Sequence, residues 1–127
     1  MCFFKHKSKQ DPIEIELKYE FNYLVNDYNF SFAKKDIGNA VDKDGKFFFY
    51  GPVICYQFFN DKVCINILNL VQRQDFDIYI TQEHELDQKS IRNGICGSDY
   101  HAYHFLCFAC DVRQSIETNG EIYGVKI

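Results

Sequence analysis

Between Ile13 and Tyr28, apolar residues return every three or four positions: Ile13, Leu17, Phe21, Leu24 and Tyr28. That spacing follows the helical turn and predicts a helix of about four turns with one buried stripe. Asp11-Pro12 marks its start: the Asp can accept from otherwise unpaired backbone N–H groups, and the Pro already has a helical φ. Glu14 and Glu16 suit the positive end of the helix dipole.

From Phe30 the period drops to two. Phe30-Ser31-Phe32 opens a strand, and Asp36-Ile37-Gly38-Asn39 reads as a loop. Asp44-Gly45 is a hairpin-turn signal, with the aromatic run Phe47 to Tyr50 after it. Pro52 has no N–H to give to a ladder and is expected to break or bulge it. Strands are predicted over 53–59, 63–72 and 74–81, with Asn60-Asp61-Lys62 as a turn. The linkers are too short for crossovers, so the block should be an antiparallel meander. Residues 83–100 are polar, with Gly94 and Gly97 as breakers, and a short helical turn over 85–91 is compatible with them. Ala102, Phe105, Ala109, Val112 and Ile116 then form the stripe of a second helix over 101–118, ended by Asn119-Gly120. Residues 121–127 read as a closing strand.

The expected architecture is α+β. An antiparallel sheet of four to six strands would carry an N-terminal and a C-terminal helix on one face, leaving the other face largely exposed. Residues 1–10 read as a mobile tail and 11–127 as a single domain, since 127 residues suit one core. Aromatic residues make up 17% of the chain, with 13 Phe and 9 Tyr, which excludes a disordered class.

Charge changes the picture more than composition does. The net charge is −4, and residues 73–87 alone hold five acids against Arg73. Apart from Lys5, Lys7 and Lys9 near the start, basic residues are not clustered, so direct nucleic-acid binding is not expected. No apolar segment approaches a membrane span, and MCFFKHKSKQ lacks the apolar core of a secretory signal. A cytoplasmic protein is therefore expected, with its six cysteines as thiols and Cys55 and Cys64 as small core residues.

No motif commits the chain to catalysis, and no cofactor is implied. HAYHFLCFAC (101–110) offers His101, His104, Cys107 and Cys110, but steps of three on a straight helix spread these over half the cylinder and cannot wrap one ion. Packing is the preferred reading, ahead of a metal site completed from elsewhere or a redox pair. Asp42-x-Asp44-Gly45 lacks the bidentate Glu of a calcium loop. His84 lies between Glu83 and Glu85 without a second His at zincin spacing. A small enzyme or ligand-binding domain with a pocket between sheet and helices would use His84, His101 and His104.

RQDFDIYIT (73–81) remains. Asp is disfavoured in strands, yet Asp75 and Asp77 alternate with Phe76, Ile78 and Ile80. If the apolar set points inward, Asp75, Asp77, Tyr79 and Thr81 share the other face. The acids either guard an edge strand in solvent or form a docking face for a basic partner, with Tyr79 as anchor and Glu83, Glu85 and Asp87 extending the surface. An acidic adaptor for some other basic protein would use the same face.

In overall character, residues 13–127 resemble the cytosolic immunity proteins of bacterial polymorphic toxin and contact-dependent growth inhibition systems. DIGNAVDKDGKFFFYGP (36–52), CINILNLVQRQDFDIYIT (64–81) and the terminal EIYGVKI carry the resemblance. It implies a non-enzymatic monomer that binds the C-terminal domain of one cognate toxin, often a basic nuclease, and blocks it. The residues expected at that interface are Asp75, Asp77, Tyr79, Glu83, Glu85 and Asp87.

Overall fold

The computed structural model describes residues 11–41, 47–71, 75–82, 95–96, 105–122 and 124–127. Of residues 37–41, 47–51, 75 and 95–96 the backbone alone is described. The tail 1–10, the Asp44-Gly45 turn and the helical turn over 85–91 lie outside the described residues.

The N-terminal stripe forms two helices rather than one: α1 (Pro12–Glu20) and α2 (Asn22–Tyr28). Asp11 caps α1 as expected, accepting from the Ile13 N–H at 3.0 Å. Phe21 leaves helical geometry at φ −102° and ψ 16°. Its N–H still reaches the Leu17 carbonyl at 2.9 Å, and its own carbonyl accepts from Leu24, only three residues on, at 3.0 Å, so one α-type and one tighter bond span the kink. The kink accompanies a packed ring: Phe21 lies 5.1 Å from Phe58 and 5.5 Å from Phe108, centroid to centroid. Asn29 ends α2 in the left-handed region at φ 58°, which Asn tolerates better than most residues. The Phe30 N–H then reaches back to the Leu24 carbonyl at 3.0 Å, and the Phe30 side chain is buried.

Five strands follow, β1 (Ser31–Val41), β2 (Phe47–Phe59), β3 (Cys64–Leu70), β4 (Asp75–Thr81) and β5 (Ile95–Cys96), in spatial order β1-β2-β3-β4-β5. Every neighbouring pair is antiparallel, so the expected meander is what forms. Two details differ from expectation. The predicted loop at 36–39 is part of β1, where the register slips between Asp36 and Gly38 and again between Asn39 and Val41. The first slip leaves Ile37 of β1 unmatched beside Val53, and the second sets residues 48–51 of β2 against Ala40 of β1, so the irregularity expected at Pro52 is shared by both strands. β5, a two-residue strand, lies in a stretch too short and polar to announce itself.

Asn60 builds the β2–β3 turn. Its Oδ1 accepts from the Lys62 and Val63 N–H groups at 2.8 and 2.9 Å, mimicking a backbone turn. After β5, α3 (Phe105–Asn119) buries Phe105, Phe108, Ala109, Val112 and Ile116; Ala102 of the predicted stripe lies outside the described residues. Gly120 ends α3 at φ 67°, with its N–H 2.8 Å from the Ile116 carbonyl. The expected closing strand is instead a small hairpin, β6 (Glu121–Ile122) with β7 (Val125–Lys126), because Gly124 turns the chain at φ 84°.

One large core joins the three helices to the sheet. Phe21 meets Phe58, and Phe105 meets Phe76 edge-on with centroids 4.9 Å apart. Phe58 and Phe76 share a sheet face with Tyr56, Ile65, Ile67, Ile78 and Ile80, as the register requires. The opposite face is not the exposed surface expected. Val53, Cys55, Leu68 and Leu70 there are all 0% exposed and form a second cluster made of sheet residues alone. The physical reason is visible in β3: CINILNL is apolar in both registers, the pattern of a strand buried on both sides. Removing the ring at the centre of the main core should be costly. Phe58→Ala is expected to lose about 3–5 kcal/mol, while Tyr19→Ala, at a side chain 79% exposed, should stay within about 0.5 kcal/mol of wild type; urea unfolding of both variants checks this.

Candidate functional site

The register fixes which way the acidic strand faces. Leu70 pairs with Asp75, Leu68 with Asp77, Asn66 with Tyr79 and Cys64 with Thr81. Phe76, Ile78 and Ile80 are buried in the main core. Asp77, Tyr79 and Thr81 therefore share the second face with the Val53–Leu70 cluster. The face is less open than an exposed strand would be. Thr81 is buried, Asp77 and Tyr79 are half-buried and make contacts of their own, and Tyr79 packs against the second cluster. Asp75 is described by its backbone only, and Glu83, Glu85 and Asp87 lie outside the described residues.

A polar row runs beside these residues. Asn66 is fully buried, and its amide nitrogen donates to Thr81 Oγ1 at 2.9 Å and to the Tyr79 carbonyl at 3.1 Å. Its Oδ1 accepts from Gln57 Nε2 at 2.7 Å and from the Cys64 thiol at 3.3 Å. One side chain thereby ties β2, β3 and β4 together and fixes the backbone on which Tyr79 stands. A buried amide is tolerable only when so satisfied. Desolvation pushes the thiols of Cys55 and Cys64 up to about 12, which makes both poor nucleophiles. The row Lys35–Cys55–Leu68–Asp77 crosses the same face, placing a cation over β1 and a carboxylate over β4.

A second polar cluster, which sequence reasoning missed apart from the cap itself, lies on the helical side. The Tyr56 hydroxyl donates to Asp11 Oδ2, and Lys34 Nζ lies 2.9 Å from the same oxygen. Lys34 also approaches Glu14 at 3.7 Å, and Glu14 pairs with Lys18 at 3.0 Å. Burial pulls the Asp11 carboxyl upward, but the hydrogen bonds from Tyr56, Lys34 and the backbone outweigh it and hold Asp11 below its ordinary value. The Lys34 ammonium is held above its ordinary value, chiefly by its hydrogen bond to Asp11. The Tyr56 phenol is pushed up by desolvation and by Asp11, so it serves as a donor and not as a base. Asp11 thus caps α1 and fastens it to β1 and β2 at once.

Between α1–α2 and α3 lies an open groove of about 690 Å³, lined by residues that include Lys18, Tyr19, Tyr23, Leu106, Cys110 and Arg113. The Arg113 guanidinium stacks 4.9 Å from the Tyr23 ring centre, and the Tyr23 hydroxyl donates to the Ala109 carbonyl at 2.7 Å. Cys107 and Cys110 are exposed on α3, not packed as the preferred sequence reading had them, because Phe108 and Ala109 take the inward positions. His84, His101 and His104 lie outside the described residues. Among the described residues no three His, Cys, Asp or Glu side chains are grouped to hold a metal, and no helix is long and apolar enough to cross a membrane.

Searches against protein-family models, curated proteins and solved structures find no match for the chain. Its function must be read from its own geometry.

The Asp11 fastening makes a pH-dependent prediction. Its folded pKa lies below the reference 3.8, so its stabilisation is present above that value and is lost as pH falls through the folded one. Asp11→Ala should cost about 1–2 kcal/mol at neutral pH. In urea unfolding across the acid range, the gap to wild type should shrink as Asp11 protonates. A gap constant into strong acid would contradict the assignment.

Proposed function

We propose that the chain is a non-enzymatic protein-binding module that neutralises a basic partner, of the kind an immunity protein provides against a cationic toxin domain. The observation that carries this reading is the composition of one strand face. Asp77 and Tyr79 alternate on β4, half-buried, on a strand whose inward residues are core and whose neighbour is pinned by Asn66. A Tyr held at its base by packing, with a carboxylate beside it, is a low-entropy anchor with a charge to steer a cation. Partial burial supports the reading: a carboxylate already partly withdrawn from water is screened less than one on an open surface.

The interface proposed consists of Asp75, Asp77 and Tyr79, extended by Glu83, Glu85 and Asp87. Five acids against one Arg over residues 73–87 give the extended surface a net charge of −4. The location proposed is the cytoplasm and the oligomeric state a monomer, bound one-to-one to its partner.

The test is capture followed by charge reversal. The tagged chain, expressed in its native host, should retain a basic protein, and binding of that protein should weaken as salt rises. Asp75→Lys with Asp77→Lys should weaken affinity by about tenfold or more while leaving the chain folded, as judged by its circular dichroism. A folded double variant with unchanged affinity would remove β4 from the interface.

A further inference from the structure

The four described thiols fall into two pairs of opposite character. Cys55 and Cys64 are sealed in the sheet, whereas Cys107 and Cys110 are exposed on α3. We propose that Cys107 and Cys110 form a two-thiolate site for a soft monovalent cation of the cuprous type.

The helix sets the geometry. Residues three apart on an α-helix are surface neighbours, with Cβ atoms about 5–6 Å apart. The inward stripe of Phe105, Phe108, Ala109, Val112 and Ile116 fixes the rotation of α3, so both thiols emerge on its outer side. The backbone between them is anchored independently: the Ala109 carbonyl accepts from the buried Tyr23 hydroxyl at 2.7 Å. Two thiolate–metal bonds of about 2.3 Å each reach about 4.6 Å when opposed, which this spacing can meet through side-chain rotation alone.

Ligand chemistry selects the ion. Thiolates favour soft cations, and cuprous ion is content with two of them. Zinc completes a tetrahedron of four, which two thiolates alone do not supply. Binding releases two protons to solvent, forms two S–Cu bonds and changes no oxidation state. The resulting complex carries one negative charge. Cys110 lines the groove together with Lys18 and Arg113.

The test uses the full chain, reduced and anaerobic, titrated with cuprous ion buffered by a chromogenic chelator. Wild type should withdraw one equivalent from the chelator and keep it against excess zinc. Cys107→Ser and Cys110→Ser should each weaken retention by about tenfold or more, with unchanged circular dichroism, since both positions are exposed. A Cys2→Ser/Cys96→Ser variant should bind as wild type does. Retention unaltered in the Cys107 and Cys110 variants, displacement by zinc, or loss in the Cys2/Cys96 variant would each overturn the proposal.

Discussion

Everything in this fold hangs on β3 being core on both sides. From Cys64 to Leu70 only Asn69 is not fully enclosed. Ile65 and Ile67 belong to the main core, while Cys64, Asn66 and Leu68 lie on the side of the second cluster. A strand in that position loses on both faces if its register slips by one residue, because every side chain would then exchange environment. Asn66 adds a further constraint, since its amide meets Gln57, Thr81 and the Tyr79 carbonyl only in this register. Apolar burial holds the sheet together, and one satisfied amide specifies how.

The acidic strand inherits its properties from that constraint. β4 pairs with β3 along its whole length, from Leu70–Asp75 to Cys64–Thr81. Its inward residues lock into the main core, and the Tyr79 carbonyl is held from the neighbouring strand by Asn66. Asp77 and Tyr79 are therefore presented from a stiff base, which lowers the ordering cost of any complex they form. The helices are fastened by different means. Asp11 caps α1 and at the same time meets Tyr56 and Lys34, so helix start and sheet are coupled through one carboxylate. On the far side of α1–α2, Tyr23 ties α2 to α3 through Ala109 and stacks with Arg113.

Much of this was legible in the chain where the signal is local. Asp11-Pro12 names its own helix start, Asn119-Gly120 its own helix end, and Asn60 its own turn. The side of β4 on which Asp77 and Tyr79 lie follows from the pleat. The kink at Phe21 was hidden, because the apolar stripe continues through it and only the packing of its ring against Phe58 and Phe108 accompanies the break. Burial of the second face is written in the two-register apolar run of β3, although a sheet of this kind commonly leaves one face to solvent. The Gln57–Asn66 pair could have been found: the two lie symmetrically about the Asp61-Lys62 turn. The link from Asp11 to Tyr56 and Lys34 could not, since it joins residues whose proximity exists only once the sheet has packed on α1. The partial burial of Asp77 and Tyr79 was equally out of reach, as it depends on what surrounds the strand and not on the strand.

Native-state hydrogen exchange tests the double-sided core most directly. The amides of Ile65 to Leu68 on β3, and of Asp77 and Tyr79 where they are paired on β4, should exchange only through global unfolding, with opening free energies equal to the stability measured by urea. Opening of β4 or of the second face at a free energy well below that value would contradict a sheet held from both sides, and with it the stiff presentation of Asp77 and Tyr79.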